Sequence, residues 1–243
     1  MKQPDYLFHY TNIGSLAYIL KDKTFQFSCL ELVNDLKEGF AKDFGDLRKY
    51  VFVNCWTDNK DEQLPLWNMY TRDMKGVKLK IKTPILQNIE PDKPIDYLFE
   101  DFMVLTQREQ IYKITYTDIK IDLTPSIFSS SDYLDFIKIG KYKRLIWKFE
   151  SEWRYILIII PLEKETEINK NDIIARSSHL IKARKGLGFK KYYRPIMKDA
   201  FKNMEITLGP KSNDSDRIIV ESLIEKYNPT ANLFDSNLKD DIR

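Results

Sequence analysis

Apolar positions along the chain predict more strands than helices. Over residues 24–28 Phe25 and Phe27 alternate with polar residues, which is typical of a strand with one buried face. Residues 153–160 are almost continuously apolar and rich in isoleucine, which predicts a central strand buried on both faces. Further strands are predicted at residues 6–10, 50–56, 76–81, 111–117, 192–197 and 204–208.

Apolar residues spaced three or four apart predict helices in four segments. These are residues 13–21, 64–70, 131–147 and 214–227. A capping-box pattern, Asp35 followed by Glu38, predicts the start of another helix, and the tail from residue 228 is predicted to be frayed. Without a regular alternation of strand and helix, the pattern favours an α+β fold on a curved, mostly antiparallel sheet, within a single domain 1–243 whose core spans 6–227.

Composition and short motifs exclude several classes of protein. The chain has 243 residues, enough for a core that needs no disulfide, and we expect Cys29 and Cys55 to be buried free thiols. No apolar run has the eighteen or so residues of a membrane helix, and the N-terminus lacks the apolar segment of a signal peptide, so the expected location is the cytoplasm and no membrane partner is expected. Neither a P-loop nor a GxGxxG motif is present, and the few Cys and His residues lack metal-ligand spacing.

Charge is concentrated late in the chain. The net charge is +3, yet residues 176–202 contain nine basic residues and one acid, Asp199, a local charge of +8. Aromatic residues lie among these cations, a combination that suits phosphate and unpaired bases but also fits a solvated loop. The candidate nucleic-acid or acceptor contacts are Lys182, Arg184, Lys185, Lys190, Lys191 and Arg194.

Two acidic motifs could carry chemistry. Glu150, Glu152 and Arg154 would project from one face of an extended segment. They indicate either a cross-strand ion pair or a carboxylate at the edge of a cleft. Asp35 and Glu38, with Asn34 or with His9, would be the ligands of a metal-dependent nuclease, whereas the capping box explains them without a metal.

Histidine and aromatic residues offer a second set of candidates. His9 lies between two aromatic residues on a short strand, so it is either a core histidine or a group directed at a ligand, with Tyr10 and Thr11 beside it. Trp67 and Tyr70 share one face of a helix, which indicates either core packing or a ring that stacks on a base or on nicotinamide.

Seven short motifs in order resemble the bacterial domain-of-unknown-function family 2971, which is related to abortive-infection proteins. The resemblance spans residues 6 to about 227, and the chain departs from the family at Leu36, where a proline is usual. The motifs are Phe8-His9-Tyr10-Thr11, Phe27-Ser28, Asn34-Asp35-Leu36-Lys37-Glu38, Leu66-Trp67-Asn68-Met69-Tyr70, Lys75-Gly76-Val77, the segment 147–154, and Ile206-Thr207-Leu208-Gly209-Pro210.

That family is remotely similar to ADP-ribosyltransferases, which implies an ADP-ribosyltransferase-like fold and NAD as substrate, without a metal. The resemblance implies Glu152 as the catalytic carboxylate, Glu150 as the acceptor-side carboxylate and His9 as the ribose anchor. It further implies Tyr10 and Thr11 as NAD contacts, and either Ser28 or Tyr70 at the middle position.

The implied role is antiphage defence or a toxin-type effector that modifies a protein or nucleic acid, with a partner protein of a defence system. The alternative is a non-catalytic module that binds a nucleotide or nucleic acid. The catalytic hypothesis requires His9 and Glu152 to lie on adjacent strands with their side chains facing one cleft, and side chains on opposite faces of the sheet would argue against the catalytic assignment. A nucleic-acid acceptor requires the basic residues of segment 176–202, here called the basic block, to border that cleft.

Overall fold

A mostly antiparallel sheet flanked by helices forms the centre of the protein, as the sequence predicts. The computed structural model describes residues 2–87, 101–105, 111–128, 134–162 and 179–242. The strands are β1 Tyr6–Thr11, β2 Thr24–Cys29, β3 Phe40–Ala41, β4 Gly45–Asp46, β5 Val51–Thr57, β6 Val77–Lys82, β7 Phe102–Leu105, β8 Ile111–Lys113, β9 Thr115–Tyr116, β10 Tyr142–Lys143, β11 Glu152–Pro161, β12 Lys191–Pro195, β13 Glu205–Leu208 and β14 Asn232–Phe234. The α-helices are α1 Ile13–Asp22, α2 Leu64–Tyr70, α3 Lys120–Leu123, α4 Lys198–Lys202 and α5 Asp214–Tyr227.

Ten strands of the described residues form one sheet. Its order is β12-β2-β5-β1-β6-β13-β14, and β11 adds pairs with β5, β7 and β8. Only the β13–β14 pair of this sheet is parallel, and the smaller pairs β3–β4 and β9–β10 lie outside it. The long strand β11 is buried along its whole length, which confirms the central position that its continuous apolar run predicts.

The sheet opens along one edge of β5, and this opening creates the site. β11 pairs with one edge of β5 from Thr57 to Val51, so β1 and β2 both pair with the other edge of β5. β1 pairs with β5 at Thr57, and β2 pairs with it at Val53 and Phe52. Asn54 and Cys55 lie between these two pairings, and there β1 and β2 diverge.

Helix α1 connects the two diverging strands. It buries Leu16, Ile19 and Leu20 in the core, and the Asn12 side chain caps it by accepting a hydrogen bond from the Ser15 amide at 2.8 Å. The helix therefore begins at the mouth of the opening.

Several predicted elements take another form. No helix begins at residues 35–38, which form a turn, and the described part of 131–147 consists of 3₁₀ turns and the short strand β10 rather than an α-helix. The predicted strand 111–117 is divided into β8 and β9. The tail from residue 228 was predicted to be frayed, but it contains β14 and the buried Asn228.

Two more sequence expectations concern cysteines and membranes. Cys29 and Cys55 are both free thiols, as expected, although Cys55 is only partly buried. Within the described residues no helix combines the length and apolar character that crossing a membrane requires.

Candidate functional site

A cavity of about 690 Å³ occupies the opening between β1 and β2. Its floor is the stretch of β5 at Asn54 and Cys55, which pairs with β11 on one edge but with neither β1 nor β2 on the other. Its walls come from β1, the first turns of α1, β2 and β12. This volume lies within the range of about 300–1,000 Å³ that is usual for sites of small molecules and cofactors.

A smaller recess of about 90 Å³ adjoins the cavity. It is lined mainly by aromatic and apolar side chains, among them Phe8, Tyr10, Trp56 and Leu66. The recess and the large cavity share four lining residues, which therefore mark their junction: His9, Cys55, Tyr70 and Glu152.

His9 and Glu152 meet at this junction, but they do not lie on adjacent strands. β5 lies between β1 and β11, so that part of the prediction was wrong. Phe8 and Glu152 both lie opposite Thr57, so their side chains share one face of the sheet. His9, one residue later, projects from the opposite face and packs against Phe25 and Trp56, so the expectation that His9 and Glu152 share a face was wrong as well. Both side chains line the same cavity because β1 leaves the edge of β5 at this point.

The His9 ring has a defined hydrogen bond. Its Nδ1 lies 2.8 Å from the Cys55 carbonyl oxygen, which can only accept, so Nδ1 carries the proton. Burial lowers the pKa of His9 more than this bond raises it, so the ring is neutral and Nε2 is an acceptor. A neutral imidazole of this tautomer can accept a hydrogen bond from a sugar hydroxyl.

A buried chain of charged groups runs along the inner wall. Glu152 accepts from Arg154 Nε at 2.6 Å and from Lys143 Nζ at 3.1 Å. Lys143 also donates to Glu150, which accepts from the Tyr70 hydroxyl at 2.6 Å. Arg154 further donates to Glu38, so three carboxylates face two cations in this network. Arg154 is ion-paired, but its partners lie on its own strand and in the turn at Glu38, so the predicted cross-strand pair was wrong. These pairs coexist with a carboxylate at the edge of the cavity.

The pKa values of the two carboxylates in the Glu150-Ser151-Glu152 segment are shifted in opposite directions. Burial alone would raise the pKa of Glu152, but attraction by Arg154 and then Lys143 outweighs it and holds the pKa at about 2. Burial, followed by repulsion from Glu152, raises the pKa of Glu150 above its ordinary value. A pair whose pKa values diverge in this way is typical of sites that divide acid–base roles.

The remaining predicted ligand contacts of β1 and β2 also line these spaces. Tyr10 lines the recess, where its ring packs against Trp67 and its hydroxyl accepts from the Gln63 amide at 3.2 Å. Thr11 and Ser28 line the large cavity, and the Ser28 hydroxyl accepts from Gln26 Nε2. Tyr70 rather than Ser28 contacts the carboxylates.

Most of the basic block does not border the cavity. Of the six predicted contacts only Lys191 lines it. Arg194 is 5% exposed and donates to the Gln87 carbonyl, so its predicted role as an acceptor contact was wrong: its guanidinium is inside the fold. Lys190 pairs with Glu31, and Lys185 donates to the Leu162 carbonyl. Lys182 lies over the Phe44 ring, and Arg184 has a left-handed backbone with a φ of 55°. Neither residue lines the cavity.

Asp35 and Glu38, the proposed nuclease ligands, are each paired with an arginine. Asp35 accepts from Arg144 through Nε and Nη2, and Glu38 accepts from Arg154. No group of three or more metal-ligating side chains occurs in the part of the chain that the structure describes. The nuclease interpretation therefore loses its proposed ligands.

Sequence reasoning missed Lys143 and Arg144 entirely. Both lie in a segment that was predicted to be helical, where charged residues are ordinarily solvated. The available signal was the excess of acids at 35–38 and 150–152, since buried carboxylates require cationic partners. No protein-family model, no curated protein and no solved structure gives a significant match to the chain.

Proposed function

We propose that the cavity binds NAD and that the site transfers its ADP-ribosyl group to a nucleophile. The observation that carries this proposal is the junction itself, where His9, Tyr70 and Glu152 border both an aromatic recess and a cavity large enough for the rest of a dinucleotide. The planar nicotinamide ring would occupy the recess, and the ribose carbon that it leaves would lie at the junction.

Each polar group has a role in this chemistry. The bond between the ribose anomeric carbon and the nicotinamide nitrogen breaks, and its electron pair leaves with neutral nicotinamide. Positive charge develops on the sugar, as in glycoside cleavage, and the ionised Glu152 stabilises it. His9 Nε2 accepts from a ribose hydroxyl and fixes the orientation of the sugar.

Glu150 suits the remaining proton transfer. The nucleophile forms a bond to the anomeric carbon, and its proton passes to ionised Glu150, whose raised pKa makes it a better base than an ordinary carboxylate. Tyr70 holds that carboxylate in place through its hydroxyl. Antiphage defence or a toxin-type role, a protein acceptor and a partner in a defence system are further parts of the proposal that rest on the motif resemblance. A nucleic-acid acceptor is no longer part of it, because only Lys191 of the predicted basic contacts lines the cavity.

The test is the release of nicotinamide from NAD. Glu150→Gln should lower the release at least about 100-fold, the usual contribution of a general base, while NAD binding measured by calorimetry persists. His9→Asn can still donate to the Cys55 carbonyl but loses the Nε2 acceptor, so it should lower release as well. His179→Asn, at an exposed position, is the matched control and should keep full activity. Unchanged turnover in Glu150→Gln would overturn the proposed chemistry.

Two observations favour the alternative of binding without chemistry. The side chains of His9 and Glu152 project from opposite faces of the sheet. Both oxygens of Glu152 already accept hydrogen bonds from Arg154 or Lys143, so the carboxylate is engaged before any ligand arrives. NAD binding with no nicotinamide release from the wild-type chain would support such a sensor. Binding of RNA or DNA that weakens steeply with salt, again without NAD turnover, would support a nucleic-acid module.

A further inference from the structure

The N-terminus of α1 opens into the large cavity. Asn12, Gly14 and Ser15 all line it, and the helix has ten residues. The first amides of a helix have no partner within the helix, and here Asn12 satisfies only the Ser15 amide. Within the described residues the Ile13 and Gly14 amides have no hydrogen-bond acceptor, and they carry the positive end of the helix dipole.

Thr11 provides an independent observation at the same place. Its side chain lines the cavity although the residue is only 8% exposed. The structure shows no hydrogen bond to its hydroxyl from any described residue. The Thr11 oxygen is not among the enclosed unpaired side-chain atoms of the described residues, so it is accessible from the cavity and can donate to a ligand there.

The third feature of the cavity wall is an exposed lysine. Lys191 lies opposite Ser28 in the β12–β2 pair and lines the cavity, with an exposed side chain and no ion-pair partner among the described residues. The neighbouring Lys190 does not line the cavity and is paired with Glu31 at 2.9 Å. The chain thus places one uncompensated cation on this wall.

We propose that this corner of the cavity is a diphosphate subsite for a nucleotide. The Thr11 hydroxyl and the Gly14 amide donate to phosphate oxygens, and Lys191 adds long-range attraction. Thr11 lies two residues beyond His9 on β1, about 7 Å along the strand, so a ribose at His9 leaves its phosphates beside Thr11. The inference rests on the proposed function, which it deepens by locating the phosphates of the dinucleotide.

The experiment uses ADP and adenosine as probes of the full chain. Calorimetry should show that Thr11→Val weakens ADP binding about tenfold, the usual effect of losing a hydrogen bond to a charged group, and leaves adenosine binding unchanged. Thr11→Ser retains the hydroxyl and should bind ADP as the wild type does. Lys191→Gln should weaken ADP binding about threefold, as expected for an exposed cation, and Lys190→Gln should not.

Two results would overturn the subsite. One is ADP affinity that is equal in wild type and Thr11→Val, when thermal unfolding shows both to be folded. The other is a wild-type chain that binds ADP no more tightly than adenosine. Nicotinamide release is measured separately, so either result can coexist with NAD turnover, and the subsite can fail while the proposed function stands.

Discussion

Glu150 and Glu152 are two residues apart, yet their partners give them opposite protonation behaviour. Arg154 and Lys143 together hold Glu152 ionised, whereas Glu150 shares Lys143 with it and otherwise has the Tyr70 hydroxyl. Glu152, which contacts both cations, therefore supplies fixed negative charge, and Glu150, with its raised pKa, is the better proton acceptor of the two. A single cation fewer at Glu152 would remove this division of roles.

This arrangement makes Glu152 a determinant of acid stability. Its pKa falls from 4.5 to about 2 on folding, so it stabilises the fold above pH 4.5, and that stabilisation is lost as pH falls towards 2. The shift corresponds to about 3 kcal/mol of unfolding free energy. Urea unfolding should show that Glu152→Gln costs about 3 kcal/mol at pH 7, because Arg154 and Lys143 each lose one of two carboxylate partners, and that it removes most of the loss between pH 4.5 and 2.

The control is Glu205→Gln. Glu205 is half-buried and pairs with Lys80 at 2.8 Å, so its replacement should cost less than about 1 kcal/mol. Equal stabilities of the Glu152 and Glu205 variants at pH 7 would contradict a buried, fully paired Glu152.

At the scale of elements, periodicity predicts what local sequence controls and fails where distant charges decide. The apolar patterns of α1, α2, α5 and β11 predict those elements within a residue or two, because each buries its own apolar face. Asp35 to Glu38 has the local signature of a helix start, but its two carboxylates are held by Arg144 and Arg154, more than a hundred residues away. These pairings favour a turn over the helix that the local pattern predicts.

The site shows the same limit. Its residues His9, Tyr70, Glu150 and Glu152 can be selected from sequence because their types suit one chemistry. Their meeting point depends on how β1 and β2 divide the edge of β5, which is a property of the sheet rather than of any segment. The buried lysine of the site, Lys143, carries no local signal of its role.

Asp35 offers a direct test of a long-range pair against a local one. Its carboxylate is 1% exposed and accepts from two nitrogens of Arg144, while Arg144 itself is about one-third exposed. Asp35→Asn should lower the free energy of unfolding by about 1–3 kcal/mol, the cost of a buried hydrogen bond to a charged group. The measurement is urea denaturation at pH 7.

Asp46 is the matched control for Asp35. Each aspartate accepts from the amide two residues later at 3.1 Å and also pairs with an arginine, but the Asp46–Arg48 pair is local and about a fifth exposed. Asp46→Asn should therefore cost less than about 1 kcal/mol. A larger loss for Asp46→Asn than for Asp35→Asn would show that the distant pair does not hold the turn.

At the scale of the whole molecule, the C-terminal segment returns to the site. β14 extends the sheet beside β13, and Asn228 donates to the Phe201 carbonyl at 2.7 Å. Beyond β14 the Asn237 amide donates to Glu62 at 2.7 Å, and Trp67 Nε1 donates to the same carboxylate. The last residues of the chain are thereby tied to α2, the helix that carries Tyr70.

Removing this tie should loosen α2 and leave the sheet intact. Deletion of residues 235–243 removes two donors to Glu62, the Ser236 hydroxyl and the Asn237 amide, and the packing of Leu238 against the Tyr10–Leu66–Trp67 cluster. Amide exchange measured by mass spectrometry should be about tenfold faster in α2, because local opening of the helix then requires less free energy, by about one hydrogen bond. Exchange in β11 should not change. Deletion of residues 240–243 keeps every one of these contacts and should leave α2 as it is. If the longer deletion left exchange in α2 unchanged, α2 would be held by its own packing alone, and the position of Tyr70 at Glu150 would not depend on the chain terminus.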